Sequence, residues 1–278
     1  MKRFFLITNK AKDPDGSYTA RIADYLKEHG ADISCEVFSR MAEHCKVPEG
    51  IECAIVLGGD GTLLKAARDM IEYEIPLIGV NLGTLGYLAE VEIGNIEKAL
   101  SMLLAGEYTR EDRMMLAGQV FLEEKDELHN FALNDIVISR CGPLQILQFD
   151  IFVNGKFLNG YSADGIIVAT PTGSTGYNMS AGGPIVEPSA SLILLTPICP
   201  HTLNTRSIIL SPEDEVTIVI PEGKEKTVQT VEANFDGTHK VTLRTGDKIV
   251  IKKTSKTTGI LKLNTESFLE ILHKKMGD

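Results

Sequence analysis

"IVLGGDGTLL", residues 55–64, is the stretch on which the fold turns. The apolar run Ala54 to Leu57 has the length and composition of a buried parallel strand. It stops at Gly58, Gly59, Asp60 and Gly61, then turns apolar again with Leu63, Ala66, Ala67 and Met70 at helical spacing. The stretch therefore predicts a strand, a glycine turn and a helix from Thr62 to Met70, with Thr62 as its cap. Backbone amides on such a turn can approach a ligand closely. A carboxylate, Asp60, in the middle of the turn is not explained by folding alone.

The neighbouring sequence repeats the pattern. "FFLIT" (4–8) reads as a strand, followed by the loop "AKDPDGS" and a helix with Tyr18, Ile22 and Leu26 on one face and Gly30 as its stop. "ISCEVF" (33–38) and "PLIGVN" (76–81) read as further strands, and a helix runs from about Asn95 to Leu104, ending at Gly106. This βαβ rhythm predicts an α/β N-terminal domain with a mainly parallel sheet.

From about Met115 strand patterns follow one another: "AGQVFL", "FALNDIVIS", "LQILQFDIFV", "GIIVAT", "VTIVI", "KTVQTVEANF" and "DKIVIKK". "FVNGKFL" places Asn154-Gly155 between apolar pairs, the type I′ hairpin signal. An all-β C-terminal domain is expected. The tail "NTESFLEILHKK" reads as a helix capped near Asn264 or Thr265, whose apolar stripe is expected to pack back on the N-terminal domain. The expected division is 1–112 with 264–278, and 113–263.

The chain has 278 residues, 43% hydrophobic and 24% charged, a globular composition with room for one or two cores. Its formal charge of −10 argues against nucleic acid or anionic membrane as bulk partners. No apolar run approaches the roughly 18 residues of a membrane helix. The N-terminal apolar run is four residues long and reads as a strand, not a signal peptide. Five cysteines, Cys35, Cys45, Cys53, Cys141 and Cys199, form no CxxC pair, so free thiols in a cytoplasmic protein are expected. No His/Cys/Asp cluster has zinc spacing, and no metal held by protein alone is expected.

The glycine loops carry the chemistry. There is no GxxxxGK[ST] and no GxGxxG opening the helix after Leu57, which sets aside two common phosphate cradles. An aspartate aimed at bare phosphate would be repelled. Asp60 makes sense beside a hydroxyl awaiting deprotonation, or beside a metal that neutralises phosphates, both features of phosphoryl transfer. A second loop, "VNLGTLGYLAE" (80–90), follows the next strand, with Gly83, Gly86 and Tyr87. Two glycine loops at the carboxyl ends of successive parallel strands lie where open α/β sheets bind ligands. A third run, "DGIIVATPTGSTGYNMSAGGPI" (164–185), presents Thr172, Ser174, Thr175, Tyr177 and Ser180 on what reads as a long loop, suited to a polar ligand.

Four ordered blocks, "GGDGTLL" (58–64), "NLGTLGYL" (81–88), "LND" (133–135) and "DGIIVATPTGSTGYNMSAGGP" (164–184), together resemble the NAD kinase family. "GGDGT" is shared with diacylglycerol-type lipid kinases and related phosphofructokinases; the "TPTGSTGYN" block is the specific one. The resemblance implies that Asp60 takes the proton from the 2′-hydroxyl of the adenosine ribose of NAD as it attacks the γ-phosphate of ATP, giving NADP. It places Gly58, Gly59, Gly61 and Thr62 at phosphates, with Mg²⁺ or another divalent cation carried by the nucleotide. It assigns NAD contacts to Gly61, Lys65, Leu88, Asn134, Asp135, Asp164, Thr172, Thr175, Gly176, Tyr177, Ser180 and Asp236. Asn134 and Asp135 match the pair that holds adenine and sugar hydroxyls, and Asp164 the aspartate at the nicotinamide end. Tyr177 matches an aromatic wall. For Lys65 an exposed helix lysine is the alternative. The chain departs from the family at Asp135, where glutamate is usual, at Gly176, where alanine is usual, and at Ser162, where a basic residue is common. A homodimer or homotetramer is also implied. A lipid kinase and a non-catalytic dinucleotide sensor are the alternatives. The hydroxyl-rich 171–180 run argues against the first, and the intact Asp60 loop against the second.

Overall fold

Strands β1 (Arg3–Asn9), β2 (Asp32–Phe38), β3 (Cys53–Gly58) and β4 (Leu77–Asn81) pair in parallel in the order β2-β1-β3-β4, with the short β5 (Val91–Glu92) beside β4. This computed structural model describes residues 1–38, 47–83, 86–122, 125–142, 145–202, 206–263 and 267–276. Cys45 and the helix cap expected at Asn264 or Thr265 lie outside the described residues. The chain divides into two units, Met1–Arg113 with Lys256–Asp278, and Met114–Ser255.

In the first unit, all six positions of β3 are buried, the pattern of a strand covered on both faces. Helices α1 (Ser17–Glu28), α2 (Asp60–Asp69) and α3 (Ile96–Ala105) connect the strands. The core joins Phe4, Leu6, Ile55, Leu57, Ile78 and Val80 of the sheet to Ile22, Leu26, Leu100 and Leu103 of the helices. Each such side chain contributes about 1.5–3 kcal/mol through burial. The buried stripe of α1 is Thr19, Ile22, Ala23 and Leu26. Tyr18, which the i, i+4 spacing grouped with Ile22 and Leu26, is instead exposed. The helix after β3 also starts earlier than expected: Gly59 is its N-cap and Asp60 its first residue. Thr62 is therefore not a cap, because it lies within the first turn.

The second unit is antiparallel. Its strands are β6 (Thr109–Leu122) from Met114 on, β7 (Lys125–Ala132), β8 (Asp135–Arg140), β9 (Leu147–Val153), β10 (Lys156–Ala163), β11 (Gly165–Ala169), β12 (Ile193–Ile198), β13 (Ile208–Leu210), β14 (Val216–Val219), β15 (Thr230–Phe235), β16 (His239–Arg244) and β17 (Lys248–Lys262) as far as Ser255. One sheet runs β13-β12-β11-β8-β15-β16, and another set runs β10-β9-β14-β17. A shared core including Ile136, Phe149, Val168, Leu195, Ile218 and Phe235 lies between them. The hairpin joining β9 to β10 is the type I′ turn expected: Asn154 and Gly155 both have positive φ, 51° and 73°. Two expectations change. "FALNDIVIS" is not one strand but breaks at Leu133-Asn134. The 171–180 run is not an open loop: it winds into a 3₁₀ turn, Thr172–Thr175, and a short helix α4, Tyr177–Ser180.

The tail helix α5 (Phe268–Met276) belongs to the first unit, as expected. Lys275 Nζ stands 4.4 Å above the centre of the Tyr87 ring, and Ile260 at the end of β17 pairs in parallel with Leu77.

Candidate active site

Strands β1, β3 and β4 end side by side at Asn9, Gly58 and Asn81, the carboxyl edge of the parallel sheet. Asp60 sits at the start of α2, where the helix dipole favours negative charge. Its carboxylate is held by the second glycine loop. Tyr87 N–H donates to Oδ2 at 2.8 Å and Leu88 N–H to Oδ1 at 3.3 Å. Gly86 is packed so closely that a Cβ there would lie 1.8 Å from Asp60 Oδ1. The two glycine loops are thus one device: the first carries the carboxylate and the second grips it. Asn81 shapes the start of the second loop, donating from Nδ2 to Gly83 O and accepting from Gly83 N–H.

Thr62 accepts a hydrogen bond at 3.4 Å from Asn9 Nδ2 at the end of β1, and a Cβ on Gly58 would strike its hydroxyl. Lys65 is not the exposed helix lysine of the alternative reading. It is 1% exposed and its ammonium lies 2.5 Å from the buried carboxylate of Asp69, so it is neither an exposed lysine nor a cation open to solvent.

In the second unit, a turn at Leu133–Asp135 is gripped by a carboxylate as well. Asp236, itself at φ 48°, accepts from the backbone N–H groups of Leu133, Asn134 and Asp135. The 3₁₀ turn after β11 presses on the same segment. Thr170 Oγ1 donates to Leu133 O and accepts from Gly173 N–H, and a Cβ on Gly173 would lie 2.1 Å from Asn134 O. Asn134 Oδ1 and Thr172 Oγ1 are buried there with no hydrogen-bond partner among the described residues. Buried polar atoms are rarely left so, and two in one place suit a polar ligand. Gly176 faces both members of the pair, with the position of its missing Cβ 3.4 Å from Asn134 Nδ2 and 3.8 Å from Asp135 Oδ2.

The structure brings Asn134, Asp135, Gly176 and Asp236 together, with the buried Thr172 and Thr175 in the adjoining turn. Tyr177 and Ser180 are exposed on α4. Asp164 stands apart, before β11 and opposite Arg140, whose Nε is 3.8 Å from its Oδ2. The five residues of β11 separate Asp164 from that turn, about 15 Å of extended chain. Ser174 and Asn178 serve the scaffold. Ser174 Oγ bonds the backbone of Val186, and Asn178 Nδ2 donates to Ser174 O and Pro184 O. The sequence places Gly86 in a ligand-facing loop and gives Gly173 no role. Only the close approach of a partner 26 or more residues away reveals what they do.

Burial, together with the neighbouring Asp236 carboxylate, pushes the Asp135 carboxyl up to about 7. A folded-state value above the unfolded one means the folded chain holds the proton more tightly. This contribution to stability is present below about pH 4 and is lost as pH rises through about 7. Asp135→Asn is therefore expected to gain on the wild type as pH rises, melting several degrees higher at pH 8 than the difference seen at pH 4 would give. Thermal melts of both chains across pH 4–8 check this; parallel curves would refute the buried carboxyl's role.

Residues 5–108 match the family model of the ATP-NAD kinase N-terminal domain, and residues 133–263 that of the C-terminal domain. The chain is 48% identical to an NAD kinase of Agathobacter rectalis, over 100% of this chain and 99% of that one. It is 45% identical to an NAD kinase of Lachnospira eligens, over 99% and 100% respectively. In fold it is similar to yeast NADH kinase solved with NADH, with TM-score 0.88 and 24% identity over 99% of this chain and 88% of that one. It is also similar in fold to an NAD kinase from Archaeoglobus fulgidus solved with ATP, with TM-score 0.76 and 24% identity over 99% and 98%.

Proposed function

From the premise that the chain belongs to the ATP-NAD kinase family, a family of phosphotransferases, we propose that it moves the γ-phosphoryl group of ATP to the 2′-hydroxyl of the adenosine ribose of NAD. Asp60 takes the hydroxyl proton as the O2′–Pγ bond forms. The bond from Pγ to the β,γ-bridging oxygen breaks, and ADP and NADP leave. The observation that carries this reading is the Asp60 carboxylate, fixed by two backbone amides at the carboxyl edge of the sheet. A group held in one place in this way meets the positioning demand of phosphoryl transfer.

Asn134 and Asp135 take the adenine and its ribose, and the unpartnered Asn134 Oδ1 and Thr172 Oγ1 are the acceptors such a ligand would meet. The distance from Asn134 to Asp164 suits an extended dinucleotide, with Asp164 at the nicotinamide end. Tyr177, 47% exposed, offers its ring as a wall of that site. Tyr177→Ala is expected to raise the KM for NAD about tenfold with kcat nearly unchanged, since stacking on an aromatic ring is worth about 1–3 kcal/mol per base. An unaltered KM removes Tyr177 from the site.

Among the described residues, no group of three or more histidine, cysteine, aspartate or glutamate side chains could hold a metal ion. A cation held by protein alone does not fit these residues, and no step above is routed through one. Mg²⁺ or another divalent cation accompanying the triphosphate belongs to the proposal, as do a cytoplasmic location and a homodimer or homotetramer. Among the described residues, no helix is long and apolar enough to cross a membrane. The lipid-kinase and sensor readings find no support among the relatives, which are named as NAD kinases.

The test mixes the purified chain with NAD, ATP and Mg²⁺ and reads NADP with an NADP-specific dehydrogenase. NADP formed in step with ADP supports the reading. NAD bound without turnover, with ATP or polyphosphate as donor, would return the sensor reading.

A further inference from the structure

The loop between β1 and α1 leaves the sheet at the same edge as Asp60. Its first turn is closed by Asn9, whose carbonyl accepts from Lys12 N–H at 2.9 Å and Asp13 N–H at 3.2 Å, while its side-chain Oδ1 accepts from Ala11 N–H. Asp13 anchors the turn from below. It is 2% exposed, and its carboxylate accepts from Tyr18 N–H, Thr19 N–H and the Thr19 hydroxyl. Thr19 is in turn bonded to Thr8 of β1. The backbone of this short loop is thus pinned at both ends, and it presents Lys12 to solvent.

The ammonium of Lys12 reaches across to the second glycine loop. Its Nζ lies 3.6 Å from where a Cβ on Gly83 would stand. Asn9, at the root of the same loop, reaches Thr62 in the first turn of α2. Loops after β1, β3 and β4 therefore meet here, with an exposed cation from the first beside the two that carry and grip Asp60. Among the described residues Lys12 has no ion-pair partner.

A triphosphate brought to a carboxylate meets repulsion that some cation must offset. Lys65, the first basic residue of α2, is paired with Asp69 inside the core. We propose that Lys12 binds the terminal phosphates of the nucleoside triphosphate donor. A lysine ammonium is a compact point charge on a flexible stem, able to follow a phosphate without fixed geometry. This inference rests on the phosphotransferase reading above, but its decisive measurement is binding, not turnover.

The experiment measures ATP·Mg²⁺ binding by calorimetry, without NAD, for wild type, Lys12→Met, Lys12→Arg and Lys12→Glu, with Lys10→Met on the same exposed turn as control. Lys12→Met is expected to weaken ATP binding about tenfold, the scale of one charge-assisted hydrogen bond. Lys12→Arg should restore most of it, Lys12→Glu should weaken it further, and Lys10→Met should match wild type. In the NADP assay the same loss should fall on the KM for ATP and leave the KM for NAD unchanged. ATP bound equally well by Lys12→Met and wild type would overturn the proposal, as would a wild type that does not bind ATP. A wild type that binds ATP and loses that affinity with Lys12→Met, yet forms no NADP, would support Lys12 and refute the reaction instead.

Discussion

Asp60→Asn is expected to lower kcat for NADP formation by about 10²–10⁴-fold, the usual contribution of a positioned general base. The dissociation constants for NAD and ATP should move by less than about threefold. The substitution keeps the volume of the side chain and removes only its capacity to take a proton. It also exposes how the residue is held. Both carboxylate oxygens accept backbone N–H groups, from Tyr87 and Leu88. A carboxamide has one acceptor and one donor end, so whichever way it turns, an NH₂ faces an amide N–H. The lost hydrogen bond costs about 1 kcal/mol, small beside a stability of about 5–15 kcal/mol, so the variant should fold. Asp60→Glu is the sharper companion: its carboxylate is kept but carried one methylene further, where the close-packed Gly86 leaves no space. It should fail nearly as badly as the amide. Steady-state rates with calorimetric binding check both. An Asp60→Asn variant within about threefold of the wild-type kcat would end the assignment of Asp60 as the base.

Much of this is legible in the sequence. The apolar runs of β1, β3 and β4 were readable because buried parallel strands are continuous apolar segments, and Asn154-Gly155 because few residues tolerate two successive positive φ values. The glycine loops marked the sheet edge. What stayed hidden was set by contacts distant in sequence. Asp60 lies 27 residues from the amide of Tyr87 that holds it, and Asp236 lies 102 from the amide of Asn134. Local pattern carries no record of such pairs. The burial of Lys65 is hidden for a related reason: a lysine at that spacing is ordinarily solvated, and its pairing with the buried Asp69, one turn on, offsets the cost of burying it. The hydroxyl-rich 171–180 run looked like a loop because Ser, Thr and Gly are weak helix formers. The distant bond of Thr170 to Leu133 and the local bonds of Asn178 to Ser174 and Pro184 wind it into turns regardless.

Gly86→Ala is expected to reduce kcat by about 10²-fold or more without touching a single ligand atom. The added methyl carbon would stand 1.8 Å from Asp60 Oδ1, 2.2 Å from Cγ and 2.3 Å from Oδ2, distances no packed carbon can hold. The backbone at Gly86 is not among the glycines with positive φ, so the penalty is this collision and not a strained conformation. Either the loop retreats, taking the Tyr87 and Leu88 amides with it, or the carboxylate swings out of their grip. Misplacing a reacting group by about 1 Å costs on the order of 10²-fold in rate, and overpacking costs about 1–3 kcal/mol of stability. The two effects have one cause, which a double-mutant cycle can isolate. Asp60→Ala removes all three colliding atoms. If the collision is the cause, Gly86→Ala should lower the melting temperature by several degrees beside Asp60 and barely at all beside alanine at that position. Equal destabilisation in both backgrounds would mean that Gly86 serves the loop alone and that the second glycine loop does not hold the base.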